Sequence, residues 1–255
     1  MSEIESIAPI IELKNVSVSF GHHMVHKQIS FAIGESETVT LLGPSGTGKT
    51  VILKLIMGLI PFYRGEIRVL GKEINSLDEH ELNELRMKVG MLFQGAALFD
   101  SLNVYENVAY GLREHGWQEE SRIADVVHET LEIVGLPKVE HKNPAELSGG
   151  QKKRVALARA LACGPRVMLF DEPTTGLDPT TRRLIDEMII RLREDFKITS
   201  LIVTHDIESA KRISTRWILV DGGQIMADGP VADMIHSDGP VIDFISGNWR
   251  GELKT

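Results

Sequence analysis

The sequence predicts an α/β fold in which a largely parallel sheet is interrupted by a helical insert. Short apolar strand candidates alternate with helical stretches on either side of the insert, which is typical of parallel sheets that bind phosphates at their strand ends. Between residues 104 and 136 the apolar residues instead recur at helical spacing. A glycine-rich octapeptide at residues 43–50 follows an apolar strand candidate and fits the phosphate-loop pattern G-x-x-x-x-G-K-[ST].

The elements before the insert follow from alternation and from capping residues. Apolar and polar side chains nearly alternate along residues 11–20, which predicts a strand with one exposed face. Asp78 predicts the start of a helix. In chain order we expect strands over 11–20, 26–33 and 39–42, a helix over 49–58, a strand over 65–69, a helix over 78–86 and a strand over 89–93.

In the insert and in the second half of the chain, the spacing of apolar residues again distinguishes helices from strands. Apolar residues from 123 to 134 fall on one helical face, and Gly135 with Pro137 ends that run. After it we expect a helix over 152–163, a strand over 167–170, a helix over 180–193, a strand over 199–203, a helix over 207–212, a strand over 217–220 and a hairpin turn at 221–224.

The composition is that of an ordinary globular protein with an acidic balance. Hydrophobic residues make up 42% of the 255 residues and charged residues 25%. The net charge of −8 argues against a nucleic-acid surface as the main function, so we expect no nucleic-acid partner. Cys163 is the one cysteine, which excludes an internal disulfide. At the end of an apolar helix, it is better explained as a small buried filler than as a nucleophile.

The sequence carries no signal for membrane insertion. No apolar run reaches the roughly 18–20 residues that span a bilayer, and residues 1–9 are acidic without the pattern of a signal peptide. We therefore expect a cytoplasmic protein. If it works at a membrane, another subunit must hold it there.

The octapeptide is the first candidate site. Its three glycines allow the backbone to fold closely around phosphate oxygens, where a side chain would clash. Lys49 is expected to supply a mobile cation to the β- and γ-phosphates, and the hydroxyl of Thr50 is expected to ligate Mg²⁺. The nucleotide-binding residues expected here are Gly43, Pro44, Ser45, Gly46, Thr47, Gly48, Lys49 and Thr50.

Two carboxylates end the apolar strand at 167–170. Adjacent side chains of a strand point to opposite sides, so Asp171 and Glu172 can have different tasks. We expect Asp171 to hold Mg²⁺ and Glu172 to polarise the attacking water. Taken alone, such an acidic turn is more often the place where a strand meets solvent. The phosphate loop in the same chain favours catalysis.

Two polar residues follow other strand ends. His205 stands just beyond the strand at 199–203, where it is expected to sense the γ-phosphate and help to place Glu172 and water. Gln94 closes the strand at 89–93, where its amide can touch Mg²⁺ or water and act as a hinge. A lone histidine is usually a surface or core residue, and a glutamine here can simply cap a strand. The other motifs favour the functional interpretation of both.

A second anion-binding candidate precedes the helix at 152–163. The pentapeptide at 147–151 reads Leu-Ser-Gly-Gly-Gln, and exposed amides at a helix N-terminus suit an anion. Because the chain already has a complete phosphate loop, we expect a head-to-tail dimer in which each copy caps the ATP of the other. Hydrolysis would reopen the pair. The residues assigned to this contact are Ser148, Gly149, Gly150 and Gln151.

All these motifs, in this order, resemble the ATP-binding-cassette (ABC) ATPases over residues 10–230. The resemblance implies ATP hydrolysis with Mg²⁺, a RecA-like P-loop NTPase core with an antiparallel β edge, and an inserted helical subdomain. It implies that Phe20 stacks on the adenine, where the family more often has tyrosine, and that Asp178 belongs to the nucleotide site. One domain over 1–255 is expected, with its core at 10–94 and 164–230, its helical subdomain at about 95–163 and a tail at 231–255.

Residues 94–104 and 110–115 further resemble the Mla/Mkl-type ATPases, which power phospholipid transport with Mce-domain proteins in bacterial envelopes. The basic run at 152–154 is similar too, although Gln151 stands where that branch often has methionine. The resemblance implies an integral-membrane permease, an Mce-domain protein and a small regulatory subunit as partners, on the inner face of the cell membrane. The segment 98–115 can also be plain helical core. Apolar residues in 239–247 are expected to dock on a partner.

Other functions stay open at this point. The same machine can serve a polar solute such as an amino acid or an ion. A non-transport cassette ATPase, acting in DNA repair or on ribosomes, is disfavoured because the sequence has no sustained heptad run and only one phosphate loop. A regulatory ATP-binding module without turnover is disfavoured by Glu172 and His205.

Overall fold

The computed structural model of the chain describes residues 8–236 and 238–249. Most of the N-terminal segment and the last residues of the predicted tail lie outside that range. The strands form two sheets. They are β1 (Ile11–Phe20), β2 (His23–Ile33), β3 (Thr38–Leu42), β4 (Arg64–Val69), β5 (Lys72–Glu73), β6 (Val89–Leu92), β7 (Val167–Asp171), β8 (Thr199–Val203), β9 (Arg216–Asp221) and β10 (Gln224–Pro230).

The larger sheet confirms the predicted α/β class. Its strand order is β10-β9-β3-β8-β7-β6, and every pair is parallel except the β9–β10 hairpin at one edge. Strands β3, β7 and β8 are buried along their whole length, as expected for central strands covered on both faces. The order of the strands places the carboxyl ends of β3, β8, β7 and β6 side by side.

The second sheet is antiparallel, with the order β2-β1-β4-β5. In β1, Ile11 and Leu13 point inward, and Ile11 pairs with Ile33 of β2 and with Val69 of β4. The antiparallel part of the fold is therefore a separate four-stranded sheet as well as one edge of the larger sheet.

The helices lie between and outside the sheets. They are α1 (Lys49–Ile56), α2 (Glu79–Met87), α3 (Val104–Glu114), α4 (Glu120–Ile133), α5 (Gly149–Leu161), α6 (Pro179–Glu194), α7 (Ile207–Ile213), α8 (Val231–Met234) and α9 (Pro240–Ile245). The predicted helical stretch 104–136 is two helices, since the chain turns at Gly116. Helix α5 begins three residues earlier than predicted, because Ser148 caps it.

Two hydrophobic clusters cover the faces of the larger sheet. One lies between the two sheets and contains α1, through Ile52, Leu53 and Ile56. The other joins α3, α4 and α5 to the opposite face of the sheet, where Met168 and Phe170 are fully buried. The predicted insert therefore packs against the sheet through an apolar contact, while its division from the core at residues 95 and 163 stays a prediction.

Part of the C-terminal tail packs on its own chain, and docking of its apolar residues on a partner stays a prediction. Val241 is buried in a cluster with Leu42 and Trp217, and Phe244 packs against that cluster. The indole of Trp249 donates a hydrogen bond to Asp221, with Nε1 2.9 Å from Oδ2. Full burial of an apolar side chain contributes roughly 1.5–3 kcal/mol, so the burial of Val241 favours the docked position of the tail.

The environment of the single cysteine is also defined at this level. Cys163 is half-buried and packs against the cluster around α5, and burial raises the pKa of its thiol, which suits a filler better than a nucleophile. In the described part of the chain, no helix has both the length and the apolar character needed to cross a membrane.

Candidate active site

One cavity, of about 560 Å³, gathers most of the predicted catalytic and phosphate-binding residues. Because β3, β8, β7 and β6 are parallel neighbours, the loops that follow them meet at one edge of the sheet. The phosphate loop follows β3, and Phe20 reaches the same cavity from the end of β1. The predicted residues that line it are Phe20, Ser45, Gly46, Gly48, Lys49, Thr50, Gln94, Asp171, Glu172 and His205.

The phosphate loop is built around close backbone contacts. Gly48 has φ +88°, and a Cβ atom there would lie 2.4 Å from Val25 Cγ1 and 2.7 Å from His26 Nε2, so only glycine fits. The Lys49 ammonium is buried and donates to the carbonyls of Gly43 and Pro44, both at 2.8 Å. Burial lowers the pKa of Lys49, while the carboxylates of Glu172 and Asp171 oppose that shift.

Three loop residues support the loop from outside the cavity lining. Thr47 donates its hydroxyl to the Pro44 carbonyl at 3.0 Å, and the Gly43 and Pro44 carbonyls hold Lys49. Gly43, Pro44 and Thr47 thus shape the loop, and their contact with a nucleotide stays a prediction.

Thr50 and Asp171 bring two oxygen-bearing side chains together in the cavity. The Thr50 hydroxyl donates to Asp171 Oδ1 at 3.0 Å, across the gap between α1 and the end of β7. Burial raises the pKa of Asp171, and the hydrogen bond from Thr50 opposes that shift. In the described part of the chain, no group of three or more His, Cys, Asp or Glu side chains could hold a metal. A pair of this kind suits an ion that takes its remaining ligands from substrate and water.

The position of the Glu172 side chain in the cavity does not follow from the alternation of side chains along a strand. Strand β7 ends at Asp171, and Glu172 has φ +53°, a left-handed conformation that is uncommon outside glycine. Its amide still donates to the Val203 carbonyl at 2.8 Å. The two acids are therefore separated by a backbone turn at the strand end rather than by the pleat of the strand.

Two side chains hold the Glu172 carboxylate. Its Oε2 atom accepts a hydrogen bond from the Thr175 hydroxyl at 2.9 Å and lies 2.9 Å from Nδ1 of His205. The Glu172 side chain is 14% exposed, whereas that of His205 is 64% exposed. The carboxylate is thus held at the wall of the cavity, with the solvent-facing imidazole of His205 beside it.

Gln94 and Phe20 frame the cavity on two other sides. Gln94 is exposed in the turn that follows β6, and Phe20 is 51% exposed. An aromatic ring with a free face suits stacking on a planar base.

The pentapeptide signature and Asp178 lie elsewhere. Ser148 caps α5, and Ser148 and Gln151 form a reciprocal pair of hydrogen bonds between side chain and backbone. Asp178 caps α6 by accepting from the amides of Thr180 and Thr181. Within the described residues, the cavity lining contains none of Ser148, Gly149, Gly150, Gln151 and Asp178.

Gly150 brings the two helix N-termini together. A Cβ atom on Gly150 would lie 2.4 Å from Cγ2 of Thr181, whereas a Cβ atom on Gly149 would meet open space. Gly150 is therefore required by close packing between α5 and α6. The predicted exposure of the Gly149 and Gly150 amides to an anion stays a prediction.

The structure adds three residues to the site that sequence reasoning missed. They are Thr175, which holds Glu172; Lys153, whose ammonium donates to the turn that carries Glu172; and His26, whose Nε2 lies 2.9 Å from the Gly48 carbonyl. The spacing of Thr175 three residues after Glu172 was a usable signal for a side-chain contact across a turn. The His26 contact was hidden by an irregularity at Gln28, which has φ +53° and shifts the inward face of β2.

Comparison with known proteins places this geometry in a family. The family model described as ABC transporter matches residues 26–175. The chain is 42% identical over 226 residues to the methionine import ATP-binding protein MetN of Clostridium tetani, covering 88% of this chain and 70% of that protein. It is 41% identical to the probable ribonucleotide transport ATP-binding protein mkl of Mycobacterium leprae, covering 86% of this chain and 63% of that protein.

A further relative is similar over almost its whole length. The intermembrane phospholipid transport system ATP-binding protein MlaF of Haemophilus influenzae is 37% identical over 246 residues, covering 96% of this chain and 93% of that protein. The resemblance to the Mla/Mkl-type proteins is thereby confirmed.

Among solved structures, a dimeric post-hydrolysis state of the ATP-binding cassette MJ0796, bound to ADP and Pi, superposes with a TM-score of 0.79. The sequences are 33% identical, and the match covers 87% of this chain and 98% of that one. The fold, the shared motifs and the relatives agree. The chain belongs to the ABC transporter family and is one of its ATPase subunits.

Proposed function

We propose that this chain hydrolyses ATP to power a phospholipid transporter, acting through a separate integral-membrane permease. The observation that carries the hydrolytic part is the meeting, in one cavity, of Lys49, the Thr50–Asp171 pair and the Glu172 carboxylate beside His205. Each group matches one requirement of phosphoryl transfer: phosphate binding, metal binding and orientation of water.

The phosphate loop and Phe20 bind the nucleotide. Backbone amides of the loop and the N-terminus of α1 face the phosphates, and the Lys49 ammonium adds a cation at the β- and γ-phosphates. Phe20 stacks on the adenine. Because a phenylalanine lacks a hydroxyl, it contributes ring contact without a hydrogen bond.

The donor set fits Mg²⁺. Thr50 and Asp171 would hold the ion, with the Gln94 amide at the same cavity wall, and all three offer hard oxygen atoms. Mg²⁺ prefers such a partial protein shell completed by phosphate and water. When bound, the ion would neutralise charge on the phosphate oxygens.

Glu172 orients the attacking water and accepts its proton. The water oxygen forms a bond to the γ-phosphorus while the bond from that phosphorus to the bridging oxygen breaks, giving ADP and inorganic phosphate. His205 keeps Glu172 in place and contacts the γ-phosphate. The hydrogen bond from Thr175 leaves the second oxygen of the carboxylate for the water.

The second copy of the chain completes each site. Ser148, Gly149, Gly150 and Gln151 would reach the nucleotide of the partner copy, and Asp178 would lie beside it at the neighbouring helix N-terminus. Their position outside the cavity of their own chain supports this arrangement. The solved cassette that shares the fold is described as dimeric, which supports it further.

The phospholipid cargo is supported by the extent of similarity. The alignment with the phospholipid transport protein MlaF covers 96% of this chain, compared with 88% for the methionine importer. Partners of the lipid machine would be a permease, an Mce-domain lipid-binding protein and a small regulatory subunit. The chain would then lie in the cytoplasm, held peripherally on the inner face of the cell membrane by the permease.

A second candidate is a polar-solute importer. It is favoured by the higher identity, 42%, to the methionine import protein. Because an ATPase subunit of this kind acts on ATP and on the permease, its own active site does not distinguish the two cargoes.

Affinity purification of the chain from its native membrane, with mass spectrometry of protein and lipid, tests the cargo. A multi-span permease with an Mce-domain protein and bound phospholipid is the expected result. A permease accompanied by a soluble solute-binding protein would keep the ATPase mechanism and reject the lipid assignment. Recovery without any membrane protein would reject transport.

A further inference from the structure

Lys153 joins the signature helix to the turn that carries the catalytic carboxylate. It lies in α5, five residues after Ser148, and is 6% exposed. Its Nζ atom donates to the carbonyl of Glu172 at 3.1 Å, that of Pro173 at 3.0 Å and that of Thr175 at 2.8 Å. An ammonium has three protons, so each finds one carbonyl.

The three acceptors belong to one four-residue turn. Burial lowers the pKa of Lys153, and the nearby charge of Glu172 opposes the shift. A buried cation is tolerated only where its protons are satisfied, and here the backbone of the turn satisfies all of them. The turn in return receives three charge-assisted hydrogen bonds, which are stronger than neutral ones.

The turn decides where the carboxylate lies. Glu172 has a left-handed backbone with φ +53°, and its Oε2 accepts from the hydroxyl of Thr175 at the other end of the turn. The Lys153 ammonium therefore binds the carbonyls of both residues that set the carboxylate. A non-glycine residue keeps such a conformation only when the surroundings fix it.

The neighbouring basic residues have different contacts. Arg154 donates to the carbonyls of Val134 and Gly135, at the end of α4. Lys152 is half-buried on the same helix, where its backbone amide donates a hydrogen bond to the Ser148 carbonyl. The two lysines thus carry the same charge and are neighbours on the same helix, but their environments differ.

We propose that Lys153 is a positioning residue that fixes the Glu172 turn to the signature helix, so that engagement of the signature sets the carboxylate. This inference rests on the proposed function, in which Glu172 acts on the ATP of its own chain and Ser148 faces that of the partner. Helix α5 then connects the two nucleotide sites of the dimer through one ammonium.

The test compares Lys153→Met with Lys152→Met in the full chain. Each change removes one positive charge from α5, but only the first frees the turn. We expect Lys153→Met to lower kcat about 10- to 100-fold, because a displacement of about 1 Å can cost a catalytic group roughly 100-fold. The KM for ATP should change less than about threefold, because the phosphate loop is untouched. Lys152→Met should keep both constants.

Two further variants separate positioning from folding. Lys153→Arg keeps the cation and several donors and should recover part of the lost kcat. If Lys153→Met does not fold, Lys153→Gln replaces it, with a wild-type thermal midpoint as the criterion of folding. A folded Met or Gln variant with wild-type kcat would overturn the proposal.

A double-mutant cycle with Ser148→Ala tests the connection between the sites. If the signature acts on Glu172 through Lys153, the losses of kcat in the two single variants should not multiply in the double variant. Multiplying losses would overturn the connection. Failure of the proposed function is distinguished by wild-type turnover that does not depend on Glu172, whereas failure of this inference leaves that dependence intact.

Discussion

The Nδ1 atom of His205 lies 2.9 Å from Oε2 of Glu172. The two residues follow the neighbouring parallel strands β8 and β7, whose carboxyl ends bring them into contact. Thr175 donates to the same oxygen from the opposite end of its turn. If Glu172 is the base, as we propose, a carboxylate that is already held in place needs little reorganisation when the reaction begins, and such preorganisation lowers the barrier.

Replacing Thr175 by Val tests this support. The change removes the hydroxyl while keeping the shape, so we expect kcat to fall roughly 3- to 10-fold, the worth of one ordinary hydrogen bond. Steady-state ATPase assays give the value.

Thr174→Val is the matched control for that experiment. Within the described residues, the buried Thr174 hydroxyl has no hydrogen-bond partner, so its removal should leave kcat unchanged and stability equal or higher. Equal effects of the two variants would contradict the role given to Thr175.

Lys49→Ala should weaken ATP binding itself. The ammonium holds the carbonyls of Gly43 and Pro44, and in the proposed function it also binds the phosphates. Its loss should therefore reduce affinity about 10- to 100-fold, the range of a charge-assisted hydrogen bond. Equilibrium binding of a fluorescent ATP analogue measures the change. Lys54→Ala, on the exposed side of the same helix, should bind as wild type, and unchanged affinity in Lys49→Ala would exclude its phosphate role.

Gly150→Ala and Gly149→Ala should differ in stability. The new methyl group at 150 would clash with Thr181 Cγ2, and overpacking of this kind costs about 1–3 kcal/mol of unfolding free energy. At 149 the methyl group meets open space and should be neutral or stabilising. Chemical denaturation of the single subunit measures both without nucleotide.

A second substitution checks the cause of the Gly150→Ala effect. Adding Thr181→Ser removes Cγ2 and should restore the unfolding free energy of the Gly150→Ala chain. If it does not, contact with Thr181 is not the reason for the glycine.

His26 should make stability depend on pH. It is fully buried, and burial lowers its pKa below the ordinary value of 6.5 while the hydrogen bond to the Gly48 carbonyl opposes the shift. The folded chain therefore binds fewer protons than the unfolded chain as pH falls below 6.5, and stability is lost by at most about 1.4 kcal/mol per pH unit.

His26→Gln removes the titration and keeps a donor for the Gly48 carbonyl. Its unfolding free energy should fall less than that of wild type between about pH 7 and pH 5. His22→Gln, at an exposed position, controls for the loss of an imidazole. Parallel pH profiles for wild type and His26→Gln would show that His26 does not protonate on unfolding.

Local patterns sufficed for much of the fold and of the cavity. The phosphate loop, the strand ending in Asp171 and the strand preceding His205 are each readable in a few consecutive residues, and the parallel order of their strands then brings them together. The hairpin at 221–224 was predicted from its glycines and joins β9 to β10.

Contacts between distant segments were not readable in the same way. The docking of Val241 beside Leu42 and Trp217 depends on which face of the sheet is left uncovered. The hydrogen bonds from Lys153 to the Glu172 turn join residues whose spacing follows no helix or strand period. The left-handed backbone of Glu172 is fixed by those contacts, so the strand period could not predict it.

ATP binding and ATP turnover of Glu172→Gln, measured on one preparation beside wild type, decide whether this carboxylate performs the hydrolysis. The variant should bind ATP with wild-type affinity and accumulate as an ATP-dependent dimer, because the phosphate loop and the signature are intact. Its turnover should fall about 10²- to 10⁴-fold, the contribution of a general base. Undiminished turnover, with ATP still bound, would contradict the assignment of Glu172.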